Sequence, residues 1–295
     1  MYKKILTLIF LFSYLTGYAQ ELTEESKTRA ESLAAMALGK DSEGGSIKEV
    51  SAIFEEAIKI APSYTELYTV WSFIIMKHAE KDKKTELYQD SFNKLEKALE
   101  LNPDSPEIYS LWAGGLLSYA NLKEDENIYN ESFEKLQKAI ELNPEFADAY
   151  LMWASALLNL ANKNKNADYY RQSGEKYNEV LKLNPNSIEA LTGKGWSYFR
   201  LGHLENDYPK YRHQVIESYG EAERIGSQSA AYNLACYYSL LKEKDESIKW
   251  LEKTIVKKYD VRMEILTKER IEKDDDFKNI RRDRRYKEIL NRYFP

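Results

Sequence analysis

Cysteine is almost missing from this chain. Cys236 stands alone among 295 residues, so no internal disulfide can form and the fold must be held by packing. Histidine is scarce too: His78, His203 and His213 lie far apart, and neither a His-Glu-x-x-His pair nor a closely spaced Cys/His ligand set occurs. With 12 Gly and 7 Pro the chain is too poor in turn residues for a many-stranded β architecture. No Gly-rich phosphate loop and no Gly-x-Ser-x-Gly elbow appears, and the isolated pairs Gly44-Gly45 and Gly114-Gly115 read as a loop and a close helix contact. Charge of one sign is lacking as well. The formal net charge is -5, a poor match for sequence-independent nucleic-acid binding, which needs many phosphate-facing cations. These absences leave no catalytic residue, cofactor or metal to be expected.

Long apolar runs are confined to the start, MYKKILTLIFLFSYLTGYAQ. Lys3 and Lys4 precede an apolar stretch from Ile5 to Leu15 and a short exit at Gly17, Tyr18 and Ala19, the layout of an export signal. The stretch is shorter than the roughly 20 residues of a membrane span, so cleavage after Ala19 is expected. The exit, ending Ala-Gln, resembles signal peptides of Bacteroidetes-type bacteria, and it has no Cys to carry a lipid anchor. The expected mature protein is periplasmic or secreted, with no membrane span.

What the chain has in abundance is a beat. Pro62, Pro103, Pro144 and Pro185 recur every 41 residues, three of them preceded by Asn102, Asn143 and Asn184. Other columns keep the period: Tyr68, Tyr109 and Tyr150; Trp71, Trp112 and Trp153; Tyr88, Tyr129, Tyr170 and Tyr211; Leu95, Leu136 and Tyr177. Within a unit, Tyr109, Trp112, Ala113, Leu116 and Leu117, and then Tyr129, Phe133, Leu136, Ala139 and Ile140, recur at three and four residues, which places each set on one helix face. Each unit is therefore two amphipathic helices, here A and B, and the Asn-Pro pair stops helix B because proline lacks an N-H and disfavours helical geometry before it.

The order of small and large residues resembles the tetratricopeptide repeat, a 34-residue motif. The copy "AYNLACYYSLLKEKDESIKWLEKTI" matches without a gap at Leu234, Ala235, Tyr238, Ser247, Leu251 and Thr254. Earlier copies hold Trp71, Trp112 or Trp153 at the family's Leu column and carry seven extra residues between helices A and B. Seven residues is about two turns at 3.6 per turn, so sharing them would lengthen each helix by about one turn, with the Tyr88 column covering the added length. Four further residues enter between Tyr208 and Ser218. A degenerate copy precedes Pro62, long copies run to Pro185 and to about Gly226, and the short copy ends near Tyr259. The tail "ILTKERIEKDDDFKNIRRDRRYKEIL" resembles the segment that closes many bacterial arrays of this family, with Phe277, Ile280, Ile289 and Leu290 turned inward to cover an end that has no neighbour.

The fold the resemblance implies is all-α: a right-handed α-solenoid of stacked antiparallel helix pairs over 20–259, closed by a C-terminal helical cap over 260–295. On that geometry the Trp column packs in the core, where replacing one Trp by Ala would cost about 3 to 5 kcal/mol. Cys236 reads as a buried small residue. Glu124 to Glu126 and Asp274 to Asp276 read as solvated loop charge. The family's inward-facing columns fall here on Glu66, Thr69, Phe73 and Lys77; Glu107, Ser110, Gly114 and Ser118; Asp148, Leu151, Ser155 and Asn159; and Glu189, Thr192, Trp196 and Arg200. The acid that opens helix A in four copies also suits the helix dipole, by about 0.3 to 1 kcal/mol. Where some members grip a partner's C-terminal carboxylate with Asn, this chain has Val70, Leu111, Met152 and Gly193, and only Asn233 matches. The resemblance thus implies a non-catalytic scaffold that holds a protein or peptide partner in its groove. A structural, self-assembling envelope protein is the alternative, with copies pairing through exposed edges or the basic tail Arg281 to Arg292. An enzyme or small-molecule binder would need a convergent polar pocket that no linear pattern displays.

Overall fold

The computed structural model describes residues 23–261 and 266–294; the export signal expected over 1–19 lies outside them. Among the described residues every regular element is helical, and no helix is long and apolar enough to cross a membrane. Two compact units divide the chain at Pro144 and Glu145, on the proline beat itself.

The first unit holds three antiparallel pairs: α1 (Glu24–Ser42) with α2 (Ile47–Ile60), α3 (Thr65–Asp82) with α4 (Thr85–Leu101), and α5 (Pro106–Lys123) with α6 (Glu126–Leu142). The second repeats the plan with α7 (Ala147–Asn164) and α8 (Ala167–Leu183), α9 (Ile188–Glu205) and α10 (Arg212–Arg224), then α11 (Ala230–Leu240) and α12 (Lys244–Val261). After it come α13 (Lys268–Lys273), a 3-10 turn (Asp275–Phe277) and α14 (Arg284–Tyr293). Within each unit, neighbouring pairs pack against one another.

Local chemistry writes each boundary. Asn102, Asn143 and Asn184 end their helices outside the helical region, φ -140°, -137° and -136°, as the following proline favours. Ser105 and Ser187 accept from backbone N-H groups to open α5 and α9; Asp125 and Asn166 do the same for α6 and α8. At the hairpin tips a further column emerges. Lys83, Glu124, Lys165 and Asn206 are left-handed, at φ 54°, 56°, 50° and 52°. The next residue's N-H returns to the carbonyl of Ala79, Ala120, Ala161 or Gly202, small residues over which the turn closes. Glu124 to Glu126 are thus tip and cap residues, not free loop charge.

The seven-residue insertion divides as anticipated. In the long pairs Ser132 Oγ donates to Ala113 O (3.0 Å) and Ser173 Oγ to Ala154 O (2.9 Å), each across 19 positions; in the short pair Ser247 Oγ donates to Ala235 O (2.7 Å) across 12. Beyond that shared bond both long helices run on by about one turn. The tip tyrosines Tyr88, Tyr129, Tyr170 and Tyr211 fill the added length, all buried. Tyr129 donates to Asn121, and Tyr170 to Asn162 at 2.8 Å, tying helix B to the end of helix A. Tyr211 arrives on a 3-10 turn, Pro209–Tyr211, about two helical turns ahead of Ser218 and so one turn further than Tyr129 stands from Ser132.

The tryptophans need a correction. Trp71 is core, stacked 5.8 Å from Phe54 with its N-H on Ser51. Trp112 and Trp153 are half-buried, so the full truncation cost applies to Trp71 alone. Over each ring lies a lysine of the same pair: Lys94 at 4.2 Å from the Trp71 centroid, Lys135 at 4.0 Å from Trp112, Lys176 at 3.6 Å from Trp153. One period later Lys194 stands in the Trp column and meets Glu217 at 3.6 Å. Gly115 marks a close helix contact, since a Cβ there would sit 2.2 Å from Met76 Sδ.

The tail covers the end of the second unit. Phe277, Ile280, Ile289 and Leu290 are buried as anticipated. Phe277 meets Tyr232 edge-on, with ring centroids 5.5 Å apart, and Asn279 donates to Ser239 O at 2.8 Å. On α12, Arg285 pairs with Asp245 (2.8 Å) and Arg292 with Glu252 (3.2 Å).

Candidate functional site

The inward-facing columns separate into three environments. Glu66, Phe73 and Lys77 on α3, Glu107 on α5, Asp148 and Asn159 on α7, and Glu189 on α9 are exposed, Phe73 by 53%. Each acid of the row sits in the first turn of its helix, where it also complements the dipole. Thr69, Gly114, Ser118, Leu151, Ser155, Thr192, Trp196 and Arg200 are half-buried. Several already have partners: Thr69 and Thr192 donate to carbonyls of their own helix, Ser155 pairs with Tyr177 at 3.2 Å, and Lys77 binds Asp41 at 2.8 Å. Ser110 is buried inside its unit and presents no surface.

Of these residues, Trp196 reaches a cavity of about 750 Å³ in the second unit. Ile188, Trp196 and Phe199 of α9 form one wall, Tyr232, Asn233 and Cys236 of α11 another, and Arg270, Asp274 and Asp276 close it from the tail. The helix-A spacing of α9 and α11 turns these side chains to one side, and the tail is brought there by Phe277 seating beside Tyr232. Arg200 lies over the Trp196 ring at 5.6 Å.

The polar groups at this wall are coupled. Tyr232 donates to Asp274 Oδ2 at 2.5 Å, and Cys236 Sγ lies 3.9 Å from the same oxygen. Asp274 Oδ1 accepts from the Asp276 N-H at 3.0 Å and opens the 3-10 turn. His203 Nε2 is 3.4 Å from Asp276 Oδ1, and its Nδ1 is 3.0 Å from the Tyr208 hydroxyl. Of the three tail acids, then, Asp275 is solvated as anticipated, while Asp274 and Asp276 are half-buried and engaged. Burial, then Asp274 and Asp276, push the Cys236 thiol well above its ordinary value; it stays protonated at neutral pH and is a poor nucleophile. Burial likewise raises the Tyr232 phenol. The cavity offers apolar and aromatic walls with a few fixed polar groups, the make-up of a binding site.

Residues 228–255, the short pair α11–α12, match the tetratricopeptide repeat family model. The chain contains a tetratricopeptide repeat. Long pairs sharing its Ser–carbonyl bond fall outside the matched residues, in keeping with a tip insertion that breaks the 34-residue register. Of the curated proteins compared, none matches the chain. Among solved structures, pilF of Pseudomonas aeruginosa has a similar fold, with TM-score 0.54 and 13% identity over 87% of this chain and 98% of that one. MamA scores 0.47 at 19% identity, over 70% and 98%. YrrB, a TPR protein with an unusual peptide-binding site, scores 0.44 at 18% identity, over 69% and 89%. At 13% identity the likeness to pilF concerns the fold alone.

Sequence reasoning reached Trp196 and Asn233 as groove positions and Cys236 as a buried residue. It missed Tyr232, Arg270, Asp274 and Asp276 as wall residues, because the tail was read only as an end cover. The pattern Asp-Asp-Asp-Phe, with an apolar anchor directly after the acids, was the available signal.

Proposed function

We propose that this protein is an exported, non-catalytic scaffold that binds a protein or peptide partner along the helix-A side of its repeats. The observation that carries this reading is the cavity walled by α9, α11 and the tail, where Trp196 stands half-buried beside fixed polar groups. An aromatic anchor in a partly desolvated recess is the usual centre of a binding surface. Within the second unit the exposed acids Asp148 and Glu189 extend the surface available to a partner; on the first unit's helices A, Phe73, Glu66 and Glu107 are exposed as well.

Site-specific photo-crosslinking in native cells tests the assignment. A crosslinker at Trp196 or Asp148 should capture the same partner, while one at Lys182, exposed on helix B, should not. Equal capture from Lys182, or none from the helix-A positions, would refute it.

A further inference from the structure

We propose that Cys236, Asp274 and Asp276, joined by His203, bind a thiophilic divalent cation of the zinc class that fastens the C-terminal segment to the last repeats. This inference is independent of any partner in the groove.

The four residues come from three places in the second unit: α9 supplies His203, α11 supplies Cys236, and the two aspartates flank the start of the 3-10 turn. One ligand atom from each of Cys236, Asp274 and Asp276 lies within 4.8 Å of the others. Cys236 Sγ is 3.9 Å from Asp274 Oδ2, and His203 Nε2 is 3.4 Å from Asp276 Oδ1. A tetrahedral ion with bonds of about 2.0 to 2.3 Å holds neighbouring ligand atoms roughly 3.3 to 3.7 Å apart. The three atoms would draw together by up to about 1 Å, and His203, whose Nε2 already faces Asp276, would supply the fourth ligand. One sulfur, two carboxylate oxygens and one imidazole suit zinc, cobalt(II) or cadmium, and not magnesium or calcium, which take oxygen throughout.

Two outer contacts support the ligands. The Tyr232 hydroxyl donates to Asp274, and the Tyr208 hydroxyl holds the second nitrogen of His203 while Nε2 faces Asp276. Such partners orient metal-bound carboxylates and imidazoles. The cavity provides the entry path. On binding, the Cys236 S-H bond breaks, its proton leaves to solvent, and a metal–sulfur bond forms; nothing is oxidised or reduced. In a chain with one cysteine and no disulfide, an ion bridging α9, α11 and the tail would lock the end of the second unit in the folded state.

The test is titration of the full mature chain with Co²⁺, read by absorbance. The expected result is stoichiometric uptake with a thiolate-to-cobalt charge-transfer band and the visible bands of tetrahedral cobalt, all removed by Zn²⁺. Cys236→Ser should abolish the charge-transfer band and weaken binding at least tenfold, Asp276→Asn should weaken it similarly, and His213→Ala should change nothing. Circular dichroism and melting of the metal-free variants establish that they fold, and Zn²⁺ should raise the melting temperature of the wild type but not of Cys236→Ser. Absence of uptake, cobalt bound without a sulfur band, or a Cys236→Ser variant that binds like wild type would each overturn the proposal and leave the cluster as hydrogen-bonded packing.

Discussion

The long pair α5–α6 and the short pair α11–α12 share a base and differ at the tip. Both hang helix B from helix A by a serine hydroxyl on a carbonyl, Ser132 on Ala113 and Ser247 on Ala235. The long pair then extends both helices and buries Tyr129 at its tip. The short pair stops early, and Phe277 of the tail packs on its helix A instead. Apolar surface on a helix has to be covered, and here two solutions coexist: a longer hairpin that covers itself, and a shorter one covered by a later segment.

The strongest challenge to that contrast is Phe277→Ala. Phe277 is fully buried, so truncation should cost about 3 to 5 kcal/mol in urea unfolding of the second unit. Hydrogen exchange should show α11 losing protection while α5 and α6 keep theirs. Unchanged protection of α11 would mean the short pair does not depend on the tail.

A smaller effect examines the shared base. Ser132→Ala and Ser247→Ala each remove one buried hydroxyl donor, with an expected loss of about 0.5 to 1.5 kcal/mol in both pairs. Clearly unequal losses in urea unfolding would show that the two bases are not equivalent.

The smallest effect concerns the tip of α9–α10. Glu205 accepts from Lys210 (2.6 Å) and Tyr211 (2.8 Å) and also from Arg171. These bonds, Lys210 first, hold its carboxyl down from an ordinary 4.5 to about 2. A lowered carboxyl stabilises the fold above its unfolded pKa and loses that contribution as pH falls toward the folded one. Glu205→Gln should therefore lower the melting temperature modestly at neutral pH, and the gap to wild type should close between about pH 4.5 and 2. A pH-independent gap would assign the loss to packing.

Much of the fold was legible in the sequence because its cues are local. Asn102-Pro103 ends a helix whatever lies around it, and a seven-residue insertion keeps apolar faces aligned only if both helices grow together. The left-handed tips at Lys83, Glu124, Lys165 and Asn206 were not legible: these residues carry none of glycine's freedom, and the turn is closed by an i-to-i+5 return onto a small residue. The site was only half legible. Trp196 and Asn233 follow from the resemblance to the repeat family, but nothing local relates Tyr232 to Asp274, 42 positions on.

By itself the sequence determined a run of helix pairs on a 41-residue beat, since proline, capping residues and three-to-four-residue apolar spacing act within a turn or two of the chain. Tertiary structure alone decided which tryptophans are core, that Lys194 in the Trp column meets Glu217, and that Cys236 and two tail aspartates face one cavity. Those outcomes depend on where separate segments come to rest against each other, and burial and electrostatic coupling exist only once they have done so.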